Sequence, residues 1–223
     1  MKRGFDALVA LIALVLASPI LIVAAIAVKL SSDGPIFYLA RRVGLGSREF
    51  RMVKFRTMRV ASGGPAITAP NDPRVFKVGA FLRASKIDEL PQFYNVLVGD
   101  MSLVGPRPED PGIVEKFYTP WMRDTLNVRP GVTSPGTIYF YAHSDEALDD
   151  GDPEGSYGKG ILARKLAVDC AYLERANFAS DVACMLRTAW AIVMRLCGFT
   201  VDASKVDIAA AHELHPHLFA ISN

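Results

Sequence analysis

The chain has 223 residues, 51% of them hydrophobic and 22% charged, with a formal net charge of +2; so many apolar residues with so little net charge exclude a disordered chain. The apolar excess sits in one place, residues 7–28, where only Ser18 and Pro19 interrupt an uncharged aliphatic run. That pattern speaks against a polytopic membrane protein and for one membrane segment followed by a water-facing domain.

Charge is divided along the chain. Residues 1–60 carry ten Lys and Arg against Asp6, Asp33 and Glu49, a balance of +7, and the remaining 163 residues carry a balance of −5. A basic region beside an apolar anchor suits the cytoplasmic face of a membrane and anionic substrates. It lacks the aromatic platform of a single-strand binder, so no nucleic acid is expected. Cys170, Cys184 and Cys197 are an odd number without a CxxC pair, which fits reduced thiols used in packing.

In chain order, the uncharged segment comes first. Its 22 residues would reach ~33 Å as a helix, enough for a ~30 Å hydrocarbon core. Pro19 has no N–H, so the Val15 carbonyl loses its helical partner, and the Ser18 hydroxyl is placed to replace it. The break falls midway, so two half-length arms could enter and leave by one face. Lys2 and Arg3 before the segment and Lys29, Arg41 and Arg42 after it favour that re-entrant form, because a spanning helix would translocate one basic flank. A kinked span and a cleaved signal remain the alternatives, the latter usually shorter in its apolar run.

Residues 36–43 and 49–58 read as the strands of a hairpin around Gly44-Leu-Gly-Ser47, and residues 61–73 as a Pro/Gly-containing loop. Helical spacing follows at 75–85 and 90–98, with Asp88-Glu89-Leu90-Pro91-Gln92 at the junction. Residues 104–111 form a proline-rich turn. Residues 113–127 read as one helix whose Phe117, Tyr118 and Trp121 serve equally well at a headgroup boundary or in a core. Residues 129–136 read as a turn and 143–160 as a solvated acidic loop whose spacing fits no EF-hand. Helices are expected at 161–176 and 180–196, the second apolar enough to pack on the domain or lie in the membrane interface. The tail, with His212, His215 and His217, reads as disordered rather than metal-binding. The expected division is a membrane helix at 1–33, a catalytic domain at 34–200 and a tail at 201–223. The fold class is α+β: a mostly helical domain with a small β-hairpin, on a re-entrant helix and flanked by interfacial amphipathic helices.

Asp88 and Glu89 are the residues that suggest chemistry. On a helix, neighbours point ~100° apart, so they would not share a proton on one face, but they could hold separate roles. Asp88 also fits a helix N-cap with Pro91 in the first turn, a terminus that attracts phosphate. The tetrapeptide alone leaves capping and chemistry equally open.

The ensemble changes that balance. Gly34-Pro-Ile-Phe37, Arg42-Val-Gly44, Lys54-Phe-Arg-Thr-Met58, Arg83-Ala-Ser-Lys-Ile-Asp-Glu-Leu-Pro-Gln92, Gly99-Asp-Met-Ser-Leu-Val-Gly-Pro-Arg-Pro108 and Arg129-Pro-Gly131 occur in this order. Together with Lys165-Leu166, Asp169, Tyr172 and Asp181, they resemble the bacterial sugar transferase family, the monotopic phosphoglycosyl transferases of the small type. The resemblance implies transfer of a sugar 1-phosphate from a UDP-sugar to a polyprenol phosphate such as undecaprenyl phosphate, through a covalent aspartyl intermediate, at the cytoplasmic face of the bacterial inner membrane. It implies Asp88 as nucleophile and magnesium ligand, Glu89 as second catalytic acid, and a re-entrant helix broken at Ser18-Pro19. Arg83, Arg107 and Arg129 become phosphate-binding candidates, with Lys54 and Arg56 as further sources of positive field. Val132-Thr-Ser-Pro135 and Ala163 depart from the family's pattern. Two rivals stand beside this reading: a non-enzymatic membrane module and a nucleotide-sugar hydrolase.

Overall fold

The computed structural model describes residues 2–59, 72–147 and 152–219. Helix α1 (Lys2–Ser31) is rich in Ala, Leu, Ile and Val and continues through Pro19. It does so because the lost hydrogen bond at Val15 is replaced: the Ser18 hydroxyl donates to that carbonyl at 2.7 Å. Among the described residues α1 is the one helix long and apolar enough to cross a membrane. Both of its ends are packed against the remainder of the chain. Asp6 and Ala10 near its start, and Ala24 and Val28 near its end, are buried, while Val15 and Leu16 between them are 62% and 74% exposed.

Polar contacts pin these ends. Lys2 pairs with Asp181, Asp6 accepts the Ser102 hydroxyl at 2.7 Å, and Arg3 donates to the Val96 carbonyl and to that of Leu97 at 2.7 Å. At the far end, Arg56 donates to the Pro35 carbonyl at 2.6 Å and to the Ser32 hydroxyl and carbonyl at 2.8 and 2.7 Å.

The expected hairpin is β1 (Phe37–Val43) against β2 (Glu49–Phe55), antiparallel with Ala40 opposite Met52. Its turn uses left-handed Gly46 and Ser47. The second strand ends three residues before the expected limit, and Met58 instead forms an isolated bridge to Val75. The expected loop at 61–73 lies, up to residue 71, outside the described residues. Helices α2 (Lys77–Ala84) and α3 (Gln92–Val98) flank a single 3-10 turn, Ile87–Glu89.

A parallel strand pair joins β3 (Ser102–Val104), which ends where the proline-rich turn was expected to begin, to β4 (Gly131–Thr133), which lies in sequence expected as a turn. A Cβ on Gly131 would lie 2.6 Å from the Thr133 carbonyl oxygen, so only glycine fits there. The single helix expected at 113–127 is two pieces, α4 (Pro111–Phe117) and a 3-10 segment, Trp121–Asn127. Pro120 explains the division, since it removes one N–H and biases the preceding residue away from helix. Tyr118 is buried in the core and Phe117 and Trp121 pack against it, which decides these aromatics as core residues.

Helix α5 (Pro135–Ala147) occupies sequence expected as turn and acidic loop. Its start is set by the Ser134 hydroxyl accepting from the Thr137 N–H at 3.0 Å and by Asp169 accepting from that of Gly136 at 2.8 Å. Residues 148–151 of the expected loop lie outside the described residues. Beyond them α6 (Pro153–Ser156) runs through a π-type turn, Tyr157–Ile161, into α7 (Leu162–Leu173). Helix α7 is the centre of the core, with Leu162, Leu166, Ala167, Val168 and Ala171 essentially inaccessible. An Asn177–Ser180 capping box starts α8 (Phe178–Leu196). The thiols are free; Cys184 is buried as packing requires, whereas Cys197 is exposed.

The tail is folded over its described residues, up to Phe219, contrary to the sequence expectation. Helices α9 (Lys205–Leu214) and α10 (Pro216–Phe219) bury Ala203 and Ala211 in the core around α7. Arg175 pairs with Asp207 at 2.7 Å, Arg164 donates to the Leu218 carbonyl at 2.8 Å, and the Trp121 and His215 rings lie 4.2 Å apart. Scattered polar residues conceal this segment, because alanines suffice to pack it closely on α7.

Ala211→Glu would place a charge where no atom is accessible. The expected loss is ~2 kcal/mol, a fall in Tm of about 4–8 °C; a loosely attached tail would leave Tm unchanged in a thermal melt.

Candidate active site

The carboxylate pair sits on the link between α2 and α3. Lys86 holds a left-handed conformation, φ 59°, and the chain then makes the 3-10 turn that carries Asp88 and Glu89. Neither that turn nor α3 has a side-chain cap, and α3 starts beyond Pro91. Asp88 therefore does not serve as the helix cap that its spacing suggested. It is buried, and its Oδ1 has no hydrogen-bond partner among the described residues.

Glu89 is the opposite case. Its Oε1 accepts from Lys54 Nζ at 3.1 Å and from Arg107, whose second guanidinium nitrogen donates to Oε2 at 3.1 Å. Lys54 comes from β2, and Arg107 from the Pro106-Arg107-Pro108 segment beyond β3. Three separate parts of the chain thus meet on one carboxylate.

The electrostatics separate the two acids. Burial would raise the Glu89 pKa, but Arg107, Lys54 and Lys86 together hold it well below the usual carboxylate range. Asp88 is pushed up to about 6, first by burial and then by the charge of Glu89, against the pull of Lys54, Lys86 and Arg83. Lys54 is drawn down to about 8 by burial, which the attraction of Glu89 only partly offsets. Arg107 is raised because Glu89 outweighs its burial. A fixed anion beside a carboxyl of higher pKa is the pattern that separates two acid roles.

Of the other expected site residues, Arg83 stands in the last turn of α2, where its charge acts on Asp88. Arg56 lies elsewhere: its guanidinium is committed to Ser32 and Pro35 and packs 5.7 Å from the Phe76 ring centroid, fastening α1 to the hairpin. Arg129 donates to the Gly99 carbonyl at 3.0 Å and lines a cleft of ≈ 840 Å³ with Lys2, Arg3 and Asp181 at the start of α1. Ser18 and Pro19 lie in the exposed middle of α1.

Three residues of the site escaped the sequence reading. Lys86 places its ammonium 3.9 Å from the Tyr141 ring centroid, and burial notwithstanding, Tyr141 and Glu89 raise its pKa. Gln92 is fully buried, with neither side-chain amide atom partnered among the described residues. Lys86 and Gln92 stood in the same motif as the acids and were legible there. Tyr141 gave no signal, because its segment was not read as a helix.

The bacterial sugar transferase family matches residues 1–195. A UDP-glucose:undecaprenyl-phosphate glucose-1-phosphate transferase of Caulobacter vibrioides is 35% identical over 192 residues, covering 84% of this chain and 67% of that protein. The exopolysaccharide production protein ExoY of Sinorhizobium fredii is 33% identical over 213 residues, 86% of this chain and 85% of its own. A UDP-N-acetylgalactosamine-undecaprenyl-phosphate N-acetylgalactosaminephosphotransferase of Aeromonas hydrophila is 47% identical over 136 residues, 59% of this chain. That region is about a third (32%) of the Aeromonas protein's length. Asp88, Glu89, Lys54 and Arg107 all fall within the matched residues, and the chain belongs to the bacterial sugar transferase family.

Proposed function

We propose that the protein transfers a sugar 1-phosphate from a UDP-sugar to undecaprenyl phosphate, releasing UMP and forming the undecaprenyl-diphosphate sugar. The observation that carries this reading is the partnerless, buried Oδ1 of Asp88 beside an ionised Glu89 and the charges of Lys54, Lys86 and Arg83. An anionic nucleophile meets an anionic diphosphate only where cations neutralise the phosphoryl oxygens. A carboxylate oxygen of Asp88 attacks the phosphorus that bears the sugar, and the bond from that phosphorus to the bridging oxygen breaks. UMP leaves with that oxygen and its electron pair. The acceptor phosphate oxygen then attacks the same phosphorus and returns Asp88 as carboxylate, so the two anionic substrates occupy the site in turn.

Magnesium is commonly held by one or two carboxylates together with substrate phosphates and water. The free oxygen of Asp88 fits that donor set. Bound there, Mg²⁺ would supply neutralising charge to the diphosphate. Glu89 holds Arg107 and Lys54 in place, and these with Lys86 provide the protein's own share of positive charge.

The acceptor's phosphate lies at a headgroup plane, and the anchor fits that need. Both ends of α1 pack on one folded domain while its middle is exposed, which supports a re-entrant helix entering and leaving by the cytoplasmic face of the inner membrane. Phe178, Leu186, Trp190, Val193 and Leu196 are exposed along α8, and this apolar side suits the interface beside it.

With Mg²⁺ and no lipid, the correct UDP-sugar from a panel including UDP-glucose and UDP-N-acetylgalactosamine is expected to release about one UMP per enzyme. Asp88→Asn should abolish that burst and the phosphosugar adduct seen by mass spectrometry. Continuous UMP release to water would instead mark a hydrolase.

The rate should describe a bell against pH. Asp88 must be ionised, so kcat/KM at limiting Mg²⁺ falls as pH drops through about 6, and added Mg²⁺ moves this limb lower by competing with the proton. Lys54 must be charged, so the rate falls again as pH rises through about 8. Lys54→Arg should remove the alkaline limb, because guanidinium does not deprotonate in this range.

With Cys170, Cys184 and Cys197 replaced by alanine, single cysteines placed at Leu8 and Leu30, near the two ends of α1, should both react with a membrane-impermeant maleimide from the cytoplasmic side of oriented vesicles. Labelling from opposite sides would show a spanning helix.

A further inference from the structure

Lys165 projects from the centre of the core and is 1% exposed. Its ammonium pairs with Glu109 and lies 2.7 Å from the Tyr157 hydroxyl, which itself donates to Glu109 at 2.6 Å. All three side chains are buried. Replacing such a pair with apolar side chains of similar volume is often neutral or stabilising, so stability is a weak reason for its presence. The pair's position in the chain suggests another.

Glu109 is two residues beyond Arg107, in Gly105-Pro106-Arg107-Pro108-Glu109. The segment has no helix or strand to shape it, and two of its five residues lack an N–H. Its backbone is tied at Gly105 to Thr133, at Pro106 to Gly131 and at Glu109 to Val43, by bonds of 2.9–3.0 Å. Arg107 projects between those ties to meet Glu89. The Glu109 side chain adds an anchor on the opposite side, into α7 and the π-type turn.

We propose that Lys165, through Glu109 and Tyr157, is a positioning residue that fixes the 105–109 segment so that Arg107 presents its guanidinium to Glu89 and to the donor's diphosphate. The strut adds the large core around α7 to the backbone ties that hold this loop. The proposal rests on the transferase reading for its effect on rate, and on the geometry alone for its effect on the loop.

The test compares full-length wild type, Lys165→Met/Glu109→Gln, Arg107→Ala and the triple variant in detergent or nanodiscs. The paired substitution leaves no unpaired buried charge, so Tm should stay within a few degrees of wild type. Hydrogen exchange at the amides that tie the segment, those of Gly105, Gly131 and Val43, should nevertheless rise about tenfold while α7 stays protected. With whichever of UDP-glucose or UDP-N-acetylgalactosamine the wild type uses, kcat/KM for UMP release should fall about tenfold or more. The triple variant should fall no further than Arg107→Ala.

Unchanged exchange at the Gly105, Gly131 and Val43 amides, or losses that multiply with Arg107→Ala, would overturn the proposal. Should the paired variant fail to fold, Tyr157→Phe removes one hydroxyl only. It should give a smaller loss that vanishes in the Arg107→Ala background, and persistence of that loss would count against the strut. Absence of UMP release by the wild type would refute the transferase reading, leaving the exchange experiment to decide the strut.

Discussion

Two carboxylates adjacent in sequence cannot both be ionised in a buried site unless cations are supplied, and this chain supplies them unequally. A unit charge pair at ~4 Å interacts by ~4 kcal/mol at an effective dielectric of ~20, so the side chain that takes the cations is fixed as the anion. Glu89 takes Lys54 and Arg107 directly. Asp88 has a free oxygen, a raised pKa and the cations at longer range. The unequal division needs β2, the α2–α3 link and the proline segment in fixed register, and much of the architecture serves that register.

Helix α1 is part of the same arrangement. Lys2, Arg3 and Asp6 tie its start to α8, α3 and β3, and Arg56 ties the region after its end to β2. The strand that Arg56 follows is the strand that delivers Lys54. Any tilt of α1 relative to the domain is therefore felt at the hairpin bearing one of the two cations on Glu89. An apolar helix joined by a flexible linker would give no such coupling.

Much of this was legible in the sequence. The β-rich runs around a Gly-containing turn identify the hairpin, helical apolar spacing identifies α2 and α3, the expected helices at 161–176 and 180–196 are α7 and α8, and Ser18 is the substitute donor to Val15. The errors have separate causes. Arg56 was placed with phosphate because a sequence shows charge and not what the charge touches, and here backbone carbonyls take it. Helix α5 was missed because Ser134-Pro135 was read as a turn, although Ser before Pro is also a helix start. The tail was missed because helices packed through alanine carry little apolar periodicity. Asp88 fitted a cap by spacing, and only three-dimensional structure separates a cap from a carboxylate left without a partner.

The missing partner bears on reactivity. A buried polar atom without a hydrogen bond costs roughly 1–3 kcal/mol, and Asp88 and Gln92 both carry such atoms within five residues. A folded chain tolerates the cost where a ligand will remove it, and a substrate phosphate accompanied by a cation supplies both acceptor oxygens and positive charge. The raised pKa follows from the same exposure to low dielectric. At pH 7 a carboxyl of pKa about 6 is still about nine-tenths ionised, yet it is more basic than an ordinary aspartate. On the proposed mechanism Asp88 therefore gains nucleophilic strength while losing little of its reactive form. A lower pKa would weaken the attack, and a much higher one would leave too little carboxylate to make it.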